Sequence, residues 1–315
     1  MKTFIINPND ANQRLDKFIE KTVKKLPSSL LYKYIRLKRI KVNGKKAEIN
    51  YRLKEGDIVE MYINDEFFEA ASNPLAFLKI KPKLDIIYED DNIMLINKEK
   101  GVIVHSDDKE DYNTLINHIL AYLYNKGEYD PENENLFTPS LCNRIDRNTQ
   151  GIVIAAKNAD TLRIINEKIK NREIKKYYLC IAHGIFDKKS DTLKGYLIKN
   201  KEENKVYVTD RKIPNSKEII TSYKVLKEKG NLSLLEIELI TGRTHQIRAH
   251  LAHIGHPLLG DGKYGTNELN KEYNIKTQEL CAYKVEFKFK TIEEKLSYLN
   301  NKSFKIENIK FFQNF

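Results

Sequence analysis

Apolar positions in the first sixty residues recur at helical spacing. Leu15, Phe18, Ile19, Val23 and Leu26 form one stripe within Arg14 to Leu26, and Leu31, Tyr34, Ile35 and Leu37 form a second. Ser28 and Ser29 are N-cap candidates for the second helix, which runs into the basic cluster Arg36, Lys38, Arg39 and Lys41. Val42-Asn43-Gly44-Lys45 predicts a tight turn, because Asn-Gly supplies two positive-φ positions, and Ile58 to Ile63 predicts a short strand. Residues 64 to 83 lack a clean period and contain Pro74 and Pro82. They read as a linker, with Phe67 and Phe68 available to dock on a neighbouring domain.

From Leu84 the pattern changes to short apolar runs separated by turn residues. Leu84 to Tyr88, Ile93 to Asn97 and Val102 to His105 predict strands, and Thr114 caps a helix with Leu115, Ile116, Ile119, Leu120 and Leu123 on one face. The sequence NKGEYDPENEN after it reads as a mobile acidic loop. Gly151 to Ala156 predicts a strand buried on both faces, and Asp160 to Lys170 an amphipathic helix. Strands are expected near Lys176 to Gly184, in a hairpin pair within residues 185 to 217, and at Thr221 to Leu226 and Leu232 to Leu239. No internal repeat is evident.

Composition narrows the functional classes. The 315 residues carry a net charge of +11 with 41% hydrophobic residues, which describes a folded basic protein with a polyanionic partner. Residues 1 to 62 hold fifteen Lys and Arg against seven Asp and Glu, so the positive charge is concentrated there. No stretch approaches the ~18 apolar residues of a membrane helix, and Met1 to Ile6 lacks a signal peptide's core, so a cytoplasmic protein is expected. Cys142, Cys180 and Cys281 are far apart and form no C-x-x-C pair, which points to reduced, partly buried thiols.

The most informative stretch is Leu141 to Lys157, where Asp146 stands between Arg144 and Arg147 at the mouth of the buried strand. A nucleophile or general base needs a fixed position and a favoured negative charge, and this placement offers both. Three other motifs are set aside. Gly260-x-Gly262-x-x-Gly265 mimics a dinucleotide fingerprint, but His256-Pro257 precedes it where a strand is required. His245, His250, His253 and His256 fit no zinc spacing. Cys142 or Cys180 could attack a pyrimidine in a methyltransferase, but no Gly-rich methyl-donor loop accompanies them.

Asn143-Arg144-Ile145-Asp146-Arg147-Asn148-Thr149-Gln150-Gly151 resembles the H-R-L-D-x-x-T-S-G signature of the RluA-type pseudouridine synthases. Lys176 to Gly184 resembles that family's K-x-Y-x-A-x-V-x-G, which aligns Tyr178 with its tyrosine. Thr241-Gly242-Arg243-Thr244-His245-Gln246-Ile247-Arg248 resembles its third signature, with every key position present. The departures are Asn143 for His, Ile145 for Leu, Gln150 for Ser, Glu99 for the usual Pro of K-P-x-G, Cys180 for Ala and Cys281 for His. Within residues 1 to 62, R-L-D-K-F, I-R-x-x-R-I-K-V-N-G-K and L-K-E-G-D resemble the small RNA-binding domain first seen in ribosomal protein S-four.

The resemblance implies an α+β fold, with a central mixed, largely antiparallel sheet, flanking helices and a catalytic cleft, plus a small N-terminal α+β RNA-binding domain. It implies domains at 1–62 and 84–315 joined by a linker at 63–83. It further implies an isomerase acting on RNA as a monomer, without cofactor or metal. Ribosomal RNA of the large subunit is the expected substrate and transfer RNA the alternative. Asp146 would be the catalytic carboxylate, Arg248 its partner and Tyr178 the contact to uracil. Arg144, Arg147, Arg243, His245 and Gln246 would bind RNA at the cleft, and Arg36, Lys38, Arg39, Lys41 and Lys45 at the N-terminal domain. The competing reading is a non-catalytic RNA-binding or ribosome-assembly protein on the same fold.

Overall fold

The computed structural model of the chain describes residues 1–68, 76–105, 113–200, 202–291 and 294–315. Pro74 of the expected linker lies outside them. Two compact units are present. One gathers residues 1–83, 116–140 and 156–163, and the other residues 84–115, 141–155 and 164–315.

In the first unit, β1 (Lys2–Ile5), β2 (Ile40–Val42) and β3 (Ile58–Met61) form an antiparallel sheet in the order β1-β3-β2. Two helices, α1 (Leu15–Thr22) and α2 (Ser28–Arg36), bury Leu15, Phe18, Ile19, Leu31 and Ile35 in one core with Val42, Leu53, Val59 and Met61. The apolar stripes therefore face the core, except for Leu37, which is the C-cap of α2 and is exposed. The serines do not cap α2; Pro27 occupies the N-cap, its fixed φ suiting a helix start, and Ser28 is already helical. Val42 and Lys45 exchange backbone hydrogen bonds of 2.9 and 3.0 Å across the expected turn, with Asn43 and Gly44 at φ +52° and +71°.

Phe67 and Phe68 pack on this same core, and Phe77 is buried beside Tyr124 of α3 (Leu115–Asn125) and Tyr129. The stretch expected to be a mobile acidic loop is held by hydrogen bonds. Asn7 and Asn9 donate to Glu134 at 2.9 and 2.6 Å, and Asn135 donates to Asp10 at 2.8 Å. Amide side chains satisfy carboxylates whose crowding composition alone would count as repulsion.

The second unit is built on an eleven-stranded sheet. Its strands are β4 (Ile86–Glu89), β5 (Ile93–Lys98), β6 (Ser140–Leu141), β7 (Gln150–Ala156), β8 (Ile174–His183) and β9 (Ser190–Asn200), followed by β10 (Lys205–Thr209), β11 (Lys217–Lys229), β12 (Leu232–Leu239), β13 (Leu280–Phe287) and β14 (Ser303–Lys305). The order is β10-β9-β11-β12-β8-β13-β7-β5-β4, with β14 on β13 and β6 on β7. β13 and β7 pair in parallel, whereas the pairings from β10 through to β13 are antiparallel. Val102 to His105 is not a strand; Ile103 makes a single bridge to Thr114.

β7 is buried along its length after Gln150, as its unbroken apolar run requires. Ile152 and Ile154 pack with Ile93, Leu95, Leu179 and Phe287, and with Ile164 and Ile165 of α4 (Ala159–Lys170). Gly151 is demanded by this packing. It has φ +132°, and a Cβ there would lie 2.4 Å from the Ala282 carbonyl oxygen on β13. Among the described residues, no helix is long and apolar enough to cross a membrane.

Candidate active site

The Asp146 loop is fixed from three directions. The Cys142 N–H donates to the Ile154 carbonyl at 2.7 Å, and Asn143 Oδ1 accepts from Ile154 N–H at 2.8 Å, so the chain entering the loop runs along β7. The Thr149 N–H donates to the Asp146 carbonyl at 3.0 Å and closes the turn. From below, buried Lys98 donates to the carbonyls of Glu99, Val102 and Arg147 at 2.9, 2.8 and 2.9 Å. Burial lowers the Lys98 pKa to about 8, while the charge of Asp146 works the other way. The ammonium thus ties the Glu99–Val102 turn to the Asp146 loop, where a proline would otherwise stiffen it.

Facing this loop is α5 (Gln246–His253), entered through His245 in a left-handed conformation of φ +53°. That kink brings Arg248 to Asp146: Nη1 donates to Oδ2 at 2.8 Å. The other edge of the guanidinium grips Asp261, with Nε to Oδ2 at 2.7 Å and Nη2 to Oδ1 at 2.8 Å. Asp261 is fully buried and also accepts the backbone N–H groups of Lys263 and Tyr264 at 2.9 and 3.2 Å. Burial pushes the Asp261 pKa up, but these donors, Arg248 foremost, outweigh it and leave it below the ordinary value. Burial likewise disfavours charge on Arg248, and the two carboxylates more than compensate, raising its pKa. Tyr264 lies under the guanidinium, 5.2 Å from its ring centre, and meets His245 Nδ1 at 2.9 Å.

His245 Nε2 is 4.0 Å from Asp146 Oδ2. Burial lowers the His245 pKa, with Asp146 opposing and Arg248 assisting, which favours the neutral ring. Tyr178 is buried on β8, and burial together with the charge of Asp146 raises its pKa. It is a neutral phenol that keeps its proton. Among the described residues Asp146 Oδ1 accepts no hydrogen bond, so one carboxylate oxygen is clamped and the other is available.

The expected pair Asp146–Arg248 is therefore present, with Tyr178 within reach of the carboxylate's field. Two expectations need correction. Arg144 and Arg147 are exposed, and the cation that meets the Asp146 carboxylate is Arg248, 102 residues away in sequence. Gln246 is 2% exposed and cannot offer itself to RNA, because its amide is committed on both sides. Its Oε1 accepts from Thr241 Oγ1 and Arg243 N–H, and its Nε2 donates to Ile220 O and Thr221 Oγ1. It positions the loop that carries Arg243 and His245. Arg243 itself is exposed, as are Arg36, Lys38, Arg39 and Lys45, with Lys41 half-buried.

Asp261, Lys98 and Tyr264 were missed. Asp261 closes the run His256-Pro257-Leu258-Leu259-Gly260-Asp261 that follows α5, and a buried arginine's need for a second carboxylate was the signal that could have found it. The departures from the family pattern are accommodated. Asn143 bonds β7, Gln150 Nε2 reaches Asn97 at 3.5 Å, and Cys180 and Cys281 are buried free thiols. The histidines diverge: His250 meets Thr221, His253 meets Asp210 and His256 meets the His183 carbonyl. Among the described residues no group of three or more His, Cys, Asp or Glu side chains could hold a metal.

A buried arginine bridging two aspartates beside a buried tyrosine, on a mixed sheet, is an arrangement that can support general acid–base or nucleophilic chemistry. The family described as RNA pseudouridylate synthase matches residues 92–253, and the S4 domain matches residues 13–59. An RNA pseudouridine synthase of Mycoplasma capricolum, described as uncharacterized, is 37% identical over 313 residues, covering 96% of each chain. The ribosomal large subunit pseudouridine synthase C of Buchnera aphidicola from Baizongia pistaciae is 34% identical over 295 residues, covering 90% of this chain and 88% of its own. In fold, the chain is similar to human RNA pseudouridylate synthase domain containing 4, with a TM-score of 0.55 at 22% identity, covering 72% of this chain and 90% of the other. The chain belongs to the RNA pseudouridylate synthase family and carries an S4 domain, and it is an isomerase that acts on RNA.

Proposed function

We propose that Asp146 is the carboxylate that acts at the ribose of a target uridine, and that the substrate is large-subunit ribosomal RNA. The observation that carries the site is the Arg248 clamp on a single oxygen of Asp146. It fixes the carboxylate's direction, balances its charge and, among the described residues, leaves Oδ1 without a hydrogen bond. Isomerisation breaks the bond from N1 to C1′, rejoins C1′ to C5, and moves a proton from C5 to solvent while N1 gains one. Tyr178, held neutral by burial, would be the contact to the uracil.

The substrate reading is supported by the names of relatives such as the ribosomal large subunit synthases of Buchnera aphidicola and Vibrio cholerae. Exposed Arg144, Arg147 and Arg243 and half-buried His245 are the cleft's proposed RNA contacts. A uridine in a stem must be extruded at a cost of a few kcal/mol, and a guanidinium such as that of Arg144 can stack in its place. Residues 1–62 are proposed as the RNA-gripping domain, 63–83 as its connection and 84–315 as the catalytic domain, acting as a monomer in the cytoplasm. Asp146→Asn is the test. Pseudouridine formation should fall about ten-thousand-fold while RNA affinity stays within a few-fold. Retention of a tenth of wild-type activity would remove Asp146 from the chemistry.

A further inference from the structure

Lys176 lies two residues before Tyr178 on β8, and alternation along a strand puts both on one face. The opposite face is occupied differently: Lys175 pairs with Glu238 at 3.1 Å, and Tyr177 bonds Glu286 at 3.4 Å. Lys176 has no such partner. It is half-buried, and among the described residues its ammonium makes no hydrogen bond or ion pair. Desolvation lowers its pKa, with no neighbouring charge acting on it.

Its position is equally informative. The ammonium sits 3.4 Å from where a Cβ would stand on Gly242, in the Thr241–His245 loop that leads into α5. That loop presents exposed Arg243 and half-buried His245, and Gln246 anchors it. Glycine at 242 leaves the space beside the ammonium open. A cation stripped of much of its water and left without a protein anion is costly unless something supplies the counter-charge. In a protein that acts on RNA, the anion available at such a site is a phosphodiester.

We propose that Lys176 binds the backbone phosphate next to the target uridine, holding the extruded nucleotide against Tyr178 and Asp146. The proposal rests on the reading of Asp146 and Tyr178 as the site of chemistry. A phosphate seated there would fix the ribose relative to the carboxylate, and Lys176 would act as a positioning residue with its effect mainly on substrate binding.

The test combines variants with modified RNA. Lys176→Met should raise KM for a short uridine stem-loop about ten- to a hundred-fold, the scale of one charged hydrogen bond, with kcat within about three-fold. Lys176→Arg should recover most of that loss. Affinities are then measured for stem-loops in which one linkage at a time is a methylphosphonate following a 2′-deoxy nucleotide, against the same deoxy RNA with ordinary phosphates. One linkage flanking the uridine should weaken binding to wild type by the same ten- to hundred-fold and leave Lys176→Met nearly unaffected. Equal penalties in wild type and variant at both flanking linkages would overturn the proposal, as would an unchanged KM in Lys176→Met. The wild-type series reads the phosphate even if the Met variant fails to fold: no penalty at either flanking linkage also overturns it. An active Asp146→Asn protein would instead sink the site reading, whereas an inactive one beside an unaffected Lys176→Met sinks only the role of Lys176.

Discussion

Asp261 takes the Nε and Nη2 hydrogens of Arg248, which leaves Nη1 to reach Asp146 at 2.8 Å. The guanidinium's direction is therefore set by a carboxylate that never meets the substrate. Asp261→Asn keeps the shape but breaks the fork. The amide oxygen will turn to the three donors at Oδ1, namely Arg248 Nη2 and the N–H groups of Lys263 and Tyr264, and the NH2 group will then oppose Arg248 Nε. Single-turnover rates should fall about a hundred-fold with KM changed only a few-fold. Stability should fall by about 3 kcal/mol, as for a broken buried pair, in a urea titration. Rates within three-fold of wild type would show that Arg248 is oriented by other groups.

Lys98 offers a prediction about stability. Its ammonium satisfies three carbonyls at a buried position, and Lys98→Met leaves them without that donor. The loss should be about 3 kcal/mol. The turn at Glu99–Val102 should loosen from Arg147, so hydrogen exchange at Gly101, whose N–H donates to the Arg147 carbonyl, should accelerate more than exchange in β8. Unchanged urea midpoints in the variant would refute this account of the missing proline.

His250 predicts an acid sensitivity. It is buried against Thr221, and burial, then the charge of His253, lowers its pKa from 6.5 to about 4. Between those values the unfolded chain binds a proton that the folded chain does not, so stability rises with pH from about 4 to 6.5 and is flat for this group above. The cost below pH 4 is about 3 kcal/mol. Comparing urea midpoints at pH 5 and pH 7 isolates it: His250→Asn should lose less stability on acidification than wild type. An equal loss would assign the acid sensitivity to other groups.

How much of this was readable from sequence differs by element. Buried β7 and the two N-terminal helices were legible, because their apolar residues repeat at the period their surroundings require. The pairing of Asp146 with Arg248 was legible through resemblance, since nothing in local spacing brings residues 146 and 248 together. β1 was not legible: three of its four residues are exposed, so no alternation marks it. Nor was the role of Gln246, whose polarity suggests a ligand contact until its burial and its four hydrogen bonds are seen. The arginines beside Asp146 misled for a related reason. Sequence adjacency in a turn leaves Arg144 and Arg147 exposed, and the compensating charge comes from Arg248 on α5.

The N-terminal basic cluster supports a prediction about salt. Arg36, Lys38, Arg39 and Lys45 are exposed around the end of α2 and the Asn43-Gly44 turn. Arg39 lies over the Tyr34 ring at 5.2 Å and half-buried Lys41 over Tyr62 at 5.2 Å, so the cations stand beside aromatic surface. Each phosphate that such a cation neutralises releases counterions, which makes log affinity fall with log salt by about 0.7 to 0.9 per contact. Replacing Arg36, Lys38, Arg39 and Lys45 with glutamine removes charge without touching the core formed by Leu31, Ile35 and Val42. The variant should therefore keep its circular dichroism and thermal midpoint, weaken binding to full-length RNA, and flatten the salt dependence by roughly 0.7 to 0.9 for each residue that contacts phosphate. Its defect on a short stem-loop should appear in KM, because Asp146, Tyr178 and Arg248 are unchanged. A variant that folds normally but retains the wild-type salt slope would show that the cluster does not grip RNA, and that the net charge of residues 1 to 62 serves another purpose.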